Sequence, residues 1–592
     1  MSTIDGMFEE ETVMATTDGG FARRVGAAVV ALAALLALGA GCKGKQDERP
    51  DVATAPPAAD AEEATAPPAG DDATSEATTA PSGGEDATEA AAPDAGGGEA
   101  LGIYPDEAFR AERPKPAASA DVASPDVIRF KLESGLDVYF VPDTKLPVLF
   151  MSFEFDVGGA SDPKGKTGLA SVCMDLYSES TADKDKIAFA EASADHATSI
   201  WTPSGAETST INVRTLRREM GPALDLLAEL IKTPGMRQED FDRIIQKRKA
   251  DLVQSRGTAD AIARRLAPML LWGEGHPLGA VQVEADLDAI TLADCKAFVG
   301  KLLPSGARLW VTGMTTQEEL QKELDARLGF WKGDAPEKIA IPPADEKAGT
   351  IFFVNLPGAV QSAVGLGQPG PLRTAEDYEA TYLMAQILGG SFSSRVNMNL
   401  REDKGWAYGA FGGFSYRRQG STFAMMASVE VSTTALAVAE MAREVRVMRT
   451  SDVKPEELQR ERDGALRVLP SEFATPTKTI EELKRLVFFG LPLDWYESYQ
   501  KNLRAVDIAA IRKAAEEHLF EKGQVVFVVG DGNAPAKDGS GTVFEALQKL
   551  ADEQLVGEGG LVVLDADGKP APKPEAPAAP APKPDEAPKT EK

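Results

Sequence analysis

From residue 125 onward the chain alternates short apolar runs of strand period with longer stretches of helical period. Val127–Glu133 and Leu136–Val141 read as two strands joined at Ser134-Gly135, a hairpin signal. In the next run Val148, Phe150, Ser152 and Glu154 share one face of a strand, with Leu149, Met151, Phe153 and Phe155 on the other. Lys166-Thr-Gly168 then opens a helix over Leu169–Tyr177. Leu216–Lys232 predicts a second helix, with Met220, Leu224, Leu227 and Ile231 on one face, and a third starts near Gln238 and passes Asp251. Later the pattern repeats. Ile351–Val354 reads as a strand, Glu376–Leu388 as a helix, and Phe411–Tyr416 with Thr422–Val429 as a hairpin around Gly420. The helix over Thr434–Met448 lines up Val438, Met441, Ala442, Val445 and Met448, a stripe of core type.

The repetition is literal. Thr233–Leu252 can be laid over Thr450–Leu469, and Arg308–Gly313 over Val525–Gly530, all with a shift of 217 residues. One constant shift over separate segments means two copies of one unit. Each copy opens with strands, carries helices in its middle and ends on an apolar strand followed by a helix. That predicts an α+β fold of two duplicated sandwich domains, each a sheet with helices on one face.

Composition trims the chain to this core. Of 592 residues, the net charge of −29 is unevenly spread, since Asp51–Ala100 holds twelve acidic side chains and no basic one. Residues 43–124 are rich in Ala, Pro, Gly, Asp, Glu and Thr and read as a disordered acidic tether, because they cannot bury enough apolar surface to offset ordering entropy. Residues 568–592 read as a disordered Pro/Ala/Lys tail. The expected domains are therefore 125–334 and 350–567, joined by a linker at 335–349. No cluster of Lys and Arg suits phosphate, which argues against nucleic acid. Residues 1–42 read as a signal peptide: Arg23-Arg24 precede an apolar run from Val25 to Gly41. Leu38-Gly-Ala-Gly-Cys42 resembles a bacterial lipobox, which implies lipidation at Cys42 and anchoring on the periplasmic side of a membrane, the outer one expected. A plain transmembrane anchor is the alternative.

One stretch carries chemistry: Leu-Gly-Gly-Ser-Phe-Ser-Ser-Arg-Val-Asn-Met-Asn-Leu-Arg-Glu-Asp-Lys-Gly-Trp-Ala-Tyr-Gly, from Leu388 to Gly409. Gly389-Gly390 is expected to end a helix in the left-handed conformation a C-cap favours. Arg401 then comes from a short second helix and Tyr408 from a strand begun after Gly405. A guanidinium fork and a phenol so delivered suit a peptide carbonyl or an oxyanion; equally, such a corner can satisfy only local partners. The stretch resembles the C-terminal domain of the insulinase/pitrilysin family of zinc metallopeptidases, whose signature is L-G-G-x-x-S-S-R-L…L-R-E-x-x-G-L-A-Y.

The resemblance implies two halves facing each other across a clam-like chamber, and a zinc-binding H-x-x-E-H on the first-half helix. Here the first histidine falls on Ser171, the glutamate on Met174, the second histidine on Asp175, and the distal ligand on Asp251. A hydroxyl, a thioether and carboxylates lack the imidazoles that zinc prefers, and Met174 cannot abstract a proton. No metal and no catalytic residue is expected in this chain. His196, His276 and His518 are scattered, none with a second histidine within a helical turn. Cys173 and Cys295 lie on helices, and the sequence leaves open whether they pair.

These residues imply a non-catalytic, peptide-binding subunit of a two-chain zinc peptidase. Arg401 and Tyr408 would serve a zinc site on an H-x-x-E-H-containing partner chain. A stand-alone peptide-binding or structural lipoprotein is the alternative. An oxygen-ligand metalloenzyme built on Asp175 and Asp251 is a third, favouring magnesium or calcium over zinc.

Overall fold

The computed structural model describes residues 119–344 and 348–575. The signal-like segment, Cys42, almost all of the acidic tether and most of the tail lie outside the described residues.

Two six-stranded sheets form the core, one per copy. The first is built from β1 (Ile128–Lys131), β2 (Asp137–Pro142), β3 (Val148–Phe155), β4 (Ser199–Trp201), β5 (Ser209–Leu216) and β6 (Arg308–Gly313), in the order β1-β2-β6-β3-β5-β4. Its helices are α1 (Leu169–Tyr177), α2 (Lys186–Asp195), α3 (Met220–Lys232), α4 (Gln238–Gln254), α5 (Ala259–Trp272), α6 (Glu284–Ala289), α7 (Leu292–Val299) and α8 (Gln317–Leu328). The second sheet contains β7 (Thr350–Asn355), β8 (Gln361–Gly370), β9 (Ala407–Arg417), β10 (Gly420–Glu430), β11 (Val525–Gly530) and β12 (Leu561–Leu564), in the order β12-β7-β11-β8-β10-β9. Around it lie α9 (Tyr378–Ala385), α10 (Arg395–Asn397), α11 (Thr434–Thr450), α12 (Pro455–Glu472), α13 (Pro476–Phe488), α14 (Trp495–Ala505), α15 (Ile508–His518) and α16 (Val543–Asp552). The duplication is visible in three dimensions. α4, α5 and β6 begin at 238, 259 and 308, and α12, α13 and β11 begin at 455, 476 and 525, each 217 residues further on.

Both sheets are mixed, with β2 parallel to β6, β7 parallel to β11 and the hairpins antiparallel. The hairpin turn at Gly135 uses a left-handed residue at φ +90°, as its sequence predicts.

Helices do not cover one face alone. Ile262, Leu266, Leu270 and Leu271 of α5 bury against Val354, Ala363, Ala424 and Phe527 of the second sheet. In return, Ile480, Leu483 and Leu486 of α13 share a core with Tyr139, Val141, Phe150 and Trp310 of the first. Each copy thus lends a helix to the other copy's sheet, and each fully buried Leu or Ile contributes roughly 1.5–3 kcal/mol. Along this seam the halves are joined by packed side chains. The charged contacts agree: Asp567 takes Arg256 at 2.8 Å and Arg265 at 2.6 Å, and Ser428 donates to Asp260 at 2.6 Å.

The expected boundaries move slightly. Val122, placed in the tether, pairs both backbone groups with Gln500 at 2.8 Å. Ile341 of the linker is buried beside Trp272, and Asn533 reaches Glu575 in the tail at 2.8 Å. Apolar or amide-bearing residues at these points find partners far along the chain, which composition averages conceal.

Candidate functional site

α1 carries the positions where the resemblance places zinc ligands. Asp162 starts the helix by accepting from the backbone N–H groups of Gly168 and Ala170 at 2.8 and 2.9 Å. Cys173 and Met174 face the core and are fully buried, while Ser171 and Asp175, one turn apart, share the outer face. Arg248 of α4 fills the space before them. Its Nη2 donates to Ser171 Oγ at 2.6 Å and also to the Asp175 carboxylate. Asp251, expected as the distal member, turns instead to Lys247 at 2.8 Å and stays half exposed. A guanidinium therefore stands where the family would set a cation, and it uses the two oxygens that remain. With Met174 turned inward and no imidazole at hand, the residues present do not fit zinc. Among the described residues the one trio of His, Cys, Asp or Glu close enough to share an ion is Asp377, Glu517 and His518, far from α1 in sequence.

Arg248→Ala is expected to cost about 1 kcal/mol, the scale of a partly exposed pair with one added hydrogen bond. It should leave the purified chain without stoichiometric zinc. Metal analysis and urea unfolding check both, and one bound zinc per chain would contradict this account of α1.

The buried side of α1 is tied as well. Cys173 and Cys295 form a disulfide, with Cα atoms 4.7 Å apart, that joins α1 to α7. Lys166 adds an ion pair to Asp294 at 2.6 Å beside it. The histidines are each engaged structurally: His196 meets Glu219 at 3.1 Å, His276 the Pro342 carbonyl at 2.7 Å, and His518 Asp377 at 2.7 Å. The last pair brings the N-terminus of α9 to the C-terminus of α15, where carboxylate and imidazole suit the helix dipoles.

The second corner is built differently from the expected C-cap. α9 runs on into a π-helical turn, Gln386–Gly390, and neither Gly389 nor Gly390 takes a left-handed φ. Their lack of a side chain serves close packing instead. A Cβ on Gly389 would lie 3.0 Å from the Gly412 nitrogen of β9, and one on Gly390 2.7 Å from the Gln386 side chain. Arg395 locks the next element, α10, through a two-pronged bond to Glu457 at 2.8 and 2.7 Å. Asn397 accepts from the Ala410 N–H at 2.9 Å and so ties α10 to β9.

A second π-helical stretch, Met398–Asp403, then presents Arg401. Its guanidinium stacks on the Phe392 ring at 4.6 Å, and Nε meets the neighbouring Glu402 at 3.2 Å. Gly405, at φ +67°, turns the chain, and Tyr408 emerges at the start of β9 with 81% of its surface exposed. No hydrogen bond links Arg401 to Tyr408 among the described residues. Both stand on elements pinned from behind, with their polar ends toward solvent, and π-helical turns of this kind are frequent at functional sites.

Two partners escaped the sequence. Arg248 sits one turn before Asp251, the expected distal ligand position, and only its charge opposite Asp175 hints at the pairing. Phe392 was part of the quoted stretch, but nothing in its spacing predicts that it supports Arg401.

A duplicated α+β chain whose helix lacks imidazoles at the expected ligand positions, with an exposed Arg/Tyr corner, defines a metallopeptidase-like fold. Residues 289–464 match the family described as Peptidase M16 inactive domain, which takes in the whole Leu388–Gly409 stretch. The resemblance to the insulinase/pitrilysin type, in a form lacking the zinc motif, therefore holds. Among curated proteins, the chain is 22% identical over 391 residues to the non-peptidase homolog YmxG of Helicobacter pylori, covering 65% of this chain and 90% of that one. A protein of Rickettsia bellii named an uncharacterized zinc protease is 23% identical over 410 residues, covering 68% of this chain and 97% of its own. Among solved structures, the peptidase M16 inactive domain from Pseudomonas fluorescens superposes with a TM-score of 0.64 at 22% identity, covering 70% of this chain and 99% of that one. The periplasmic protease PqqL from Escherichia coli gives a TM-score of 0.60 at 13% identity, but its matched part is 47% of that chain, against 71% of this one. The fold is that of M16 proteins, and residues 289–464 match the model of their inactive domain.

Proposed function

We propose that this chain is the non-catalytic half of a two-chain peptidase, and that Arg401 and Tyr408 hold a substrate backbone against a zinc carried by an H-x-x-E-H relative. The observation that carries this is an asymmetry of loss. Ser171 and Asp175 are taken by Arg248 and Asp251 by Lys247, whereas Tyr408 is exposed and Arg401, paired only with its neighbour Glu402, is partly open to solvent. Two exposed donors on rigid supports can orient a carbonyl and stabilise the charge that develops on it. The water that attacks has to be armed elsewhere. That PqqL is about twice the span of the match supports an arrangement in which a second half completes the site.

The address follows the same line. A disulfide between buried cysteines fits an oxidising compartment, in keeping with lipidation at Cys42 and a periplasmic anchor.

The test starts from detergent-solubilised membranes of the native organism. The chain is expected to co-purify with an H-x-x-E-H relative and the complex to cleave peptides in a chelator-sensitive way. Arg401→Ala should lower kcat of the complex about 10²–10³-fold, the cost of removing one oxyanion donor. Chelator-sensitive cleavage by the isolated chain, or a complex indifferent to Arg401→Ala, would overturn the proposal. Recovery of the chain wholly in the soluble fraction would overturn the address.

A further inference from the structure

Arg401 stands on a stretch of backbone that has to be held from outside. The π-helix is rare and occurs mostly as single turns, so Met398–Asp403 rests on contacts beyond its own winding. Asn399, two places before Arg401, makes them. It is 5% exposed, and its side-chain nitrogen donates to Glu440 and to Glu444 of α11, both at 2.7 Å. Its backbone carbonyl accepts from the Lys404 N–H at 3.0 Å, the bond that closes the turn around Arg401. The carbonyls of Leu400 and Arg401 accept from the N–H groups of Trp406 at 2.9 Å and Gly405 at 3.1 Å. Main chain and side chain of Asn399 thus join the arginine-bearing turn to the long helix behind it.

The contact singles out an amide. Glu440 and Glu444 lie one turn apart on one face of α11, where like charges repel. Arg443 pairs with them at 2.8 and 2.7 Å from a side chain 47% exposed, and Lys404 stands 3.8 Å from Glu440. Asn399 meets both carboxylates with two hydrogens on one nitrogen and no charge of its own. Burial alone would raise the Glu440 carboxyl. The hydrogen bonds of Asn399 and Arg443, with the charges of Arg443 and Lys404, outweigh it and hold the group below the usual carboxylate range. The bond from Asn399 to Glu440 is therefore charge-assisted, the stronger kind. The oxygen of the same amide is buried with no hydrogen-bond partner among the described residues. A leucine of similar volume would remove that orphan but would strip both carboxylates of their buried donor.

We propose that Asn399 is a positioning residue: by clamping the π-helical turn to α11 it sets the direction in which Arg401 presents its guanidinium. Without the clamp the turn is free to relax to ordinary α-helical winding, and every later side chain in it rotates about the axis. The ring under the guanidinium does not replace this hold. Phe392 lies 4.6 Å from Arg401 but is itself 56% exposed. This inference rests on the proposed role of Arg401, and its test separates the two.

Hydrogen exchange is read on the full chain, and activity on its complex with the H-x-x-E-H relative. Asn399→Asp keeps the size but replaces both donors by a third carboxylate. Exchange at the Lys404, Gly405 and Trp406 amides is expected to quicken about tenfold, the scale of a hydrogen bond to a charged group, with the amides of β10 unchanged. In the complex kcat should fall about tenfold while KM moves less than about twofold. Adding Glu444→Gln to Asn399→Asp returns a donor to the contact and should recover most of both losses. Asn399→Leu brings no charge and should quicken the same amides. Unchanged exchange in both single variants overturns the clamp. So does a loss spread over the whole chain, with a lower thermal midpoint and no recovery in the double variant. Faster local exchange with kcat unmoved, in a complex that Arg401→Ala impairs, overturns the positioning role. Faster local exchange in a complex indifferent to Arg401→Ala upholds the clamp and sinks the proposed function.

Discussion

Replacing Asp156 by asparagine is expected to lower the free energy of unfolding by about 3–5 kcal/mol, the cost of breaking a buried ion pair from one side. This carboxylate is the hub of the seam between the two copies. It accepts from Arg308 at 2.7 and 3.1 Å and pairs with Lys338 at 2.8 Å and with Arg418 of the other copy. Its side chain is 6% exposed and that of Arg308 is 11% exposed, so solvent screens little of this. Without the charge, Arg308 retains only Glu154, at 3.0 Å. Burial alone would raise the Asp156 carboxyl. The hydrogen bonds and charge of Arg308, the hydrogen bond of Lys338 and the charge of Arg418 outweigh it and hold the group below the usual carboxylate range. The sign of the pH effect follows. A depressed pKa contributes stability that is full above the unfolded value, about 4, and is lost as pH falls toward the folded one. Urea unfolding at pH 7 should therefore separate the wild-type protein from Asp156→Asn, and the gap should narrow below about pH 4. A difference under 1 kcal/mol at pH 7 would remove Asp156 from the centre of the seam.

Removing the disulfide is expected to have a similar effect. Cys173 and Cys295 close a loop of 122 residues, which in the chain-entropy account is worth about 4–5 kcal/mol. The cystine holds α1 to α7 from the core side, and Arg248 holds it to α4 from the solvent side. The joint Cys173→Ala, Cys295→Ala variant, and the wild-type chain unfolded in reductant, should both show the lower midpoint. Matching midpoints for oxidised and reduced protein would mean that packing alone fixes α1.

Much of the fold was legible in one dimension. The β1–β2 hairpin, α1 with its opening Gly168, and the β9–β10 hairpin follow from period, glycine placement and alternating polarity, all local quantities. The copy shift of 217 residues recurs in α4, α5 and β6 because a duplicated fold keeps the spacing of its elements. Errors arose where a local rule met a tertiary constraint. Gly389-Gly390 looked like a helix cap, but β9 passes so close that only a hydrogen fits there. The linker and the tether's last residues looked solvated, yet Ile341 and Val122 find partners that lie elsewhere in the chain.

By itself the sequence determined that this is a duplicated α+β chain, that the positions of its expected ligand helix carry no imidazole, and that Arg401 and Tyr408 fall within one motif-like stretch. Those facts are recorded in residue identity and spacing, which need no coordinates. Only the tertiary structure decided that Arg248 pairs with Asp175, that Cys173 finds Cys295, and that each copy lends a helix to the other's sheet. Each of these depends on which helices cross and at what distance, and that is set by side-chain packing among residues far apart in the chain.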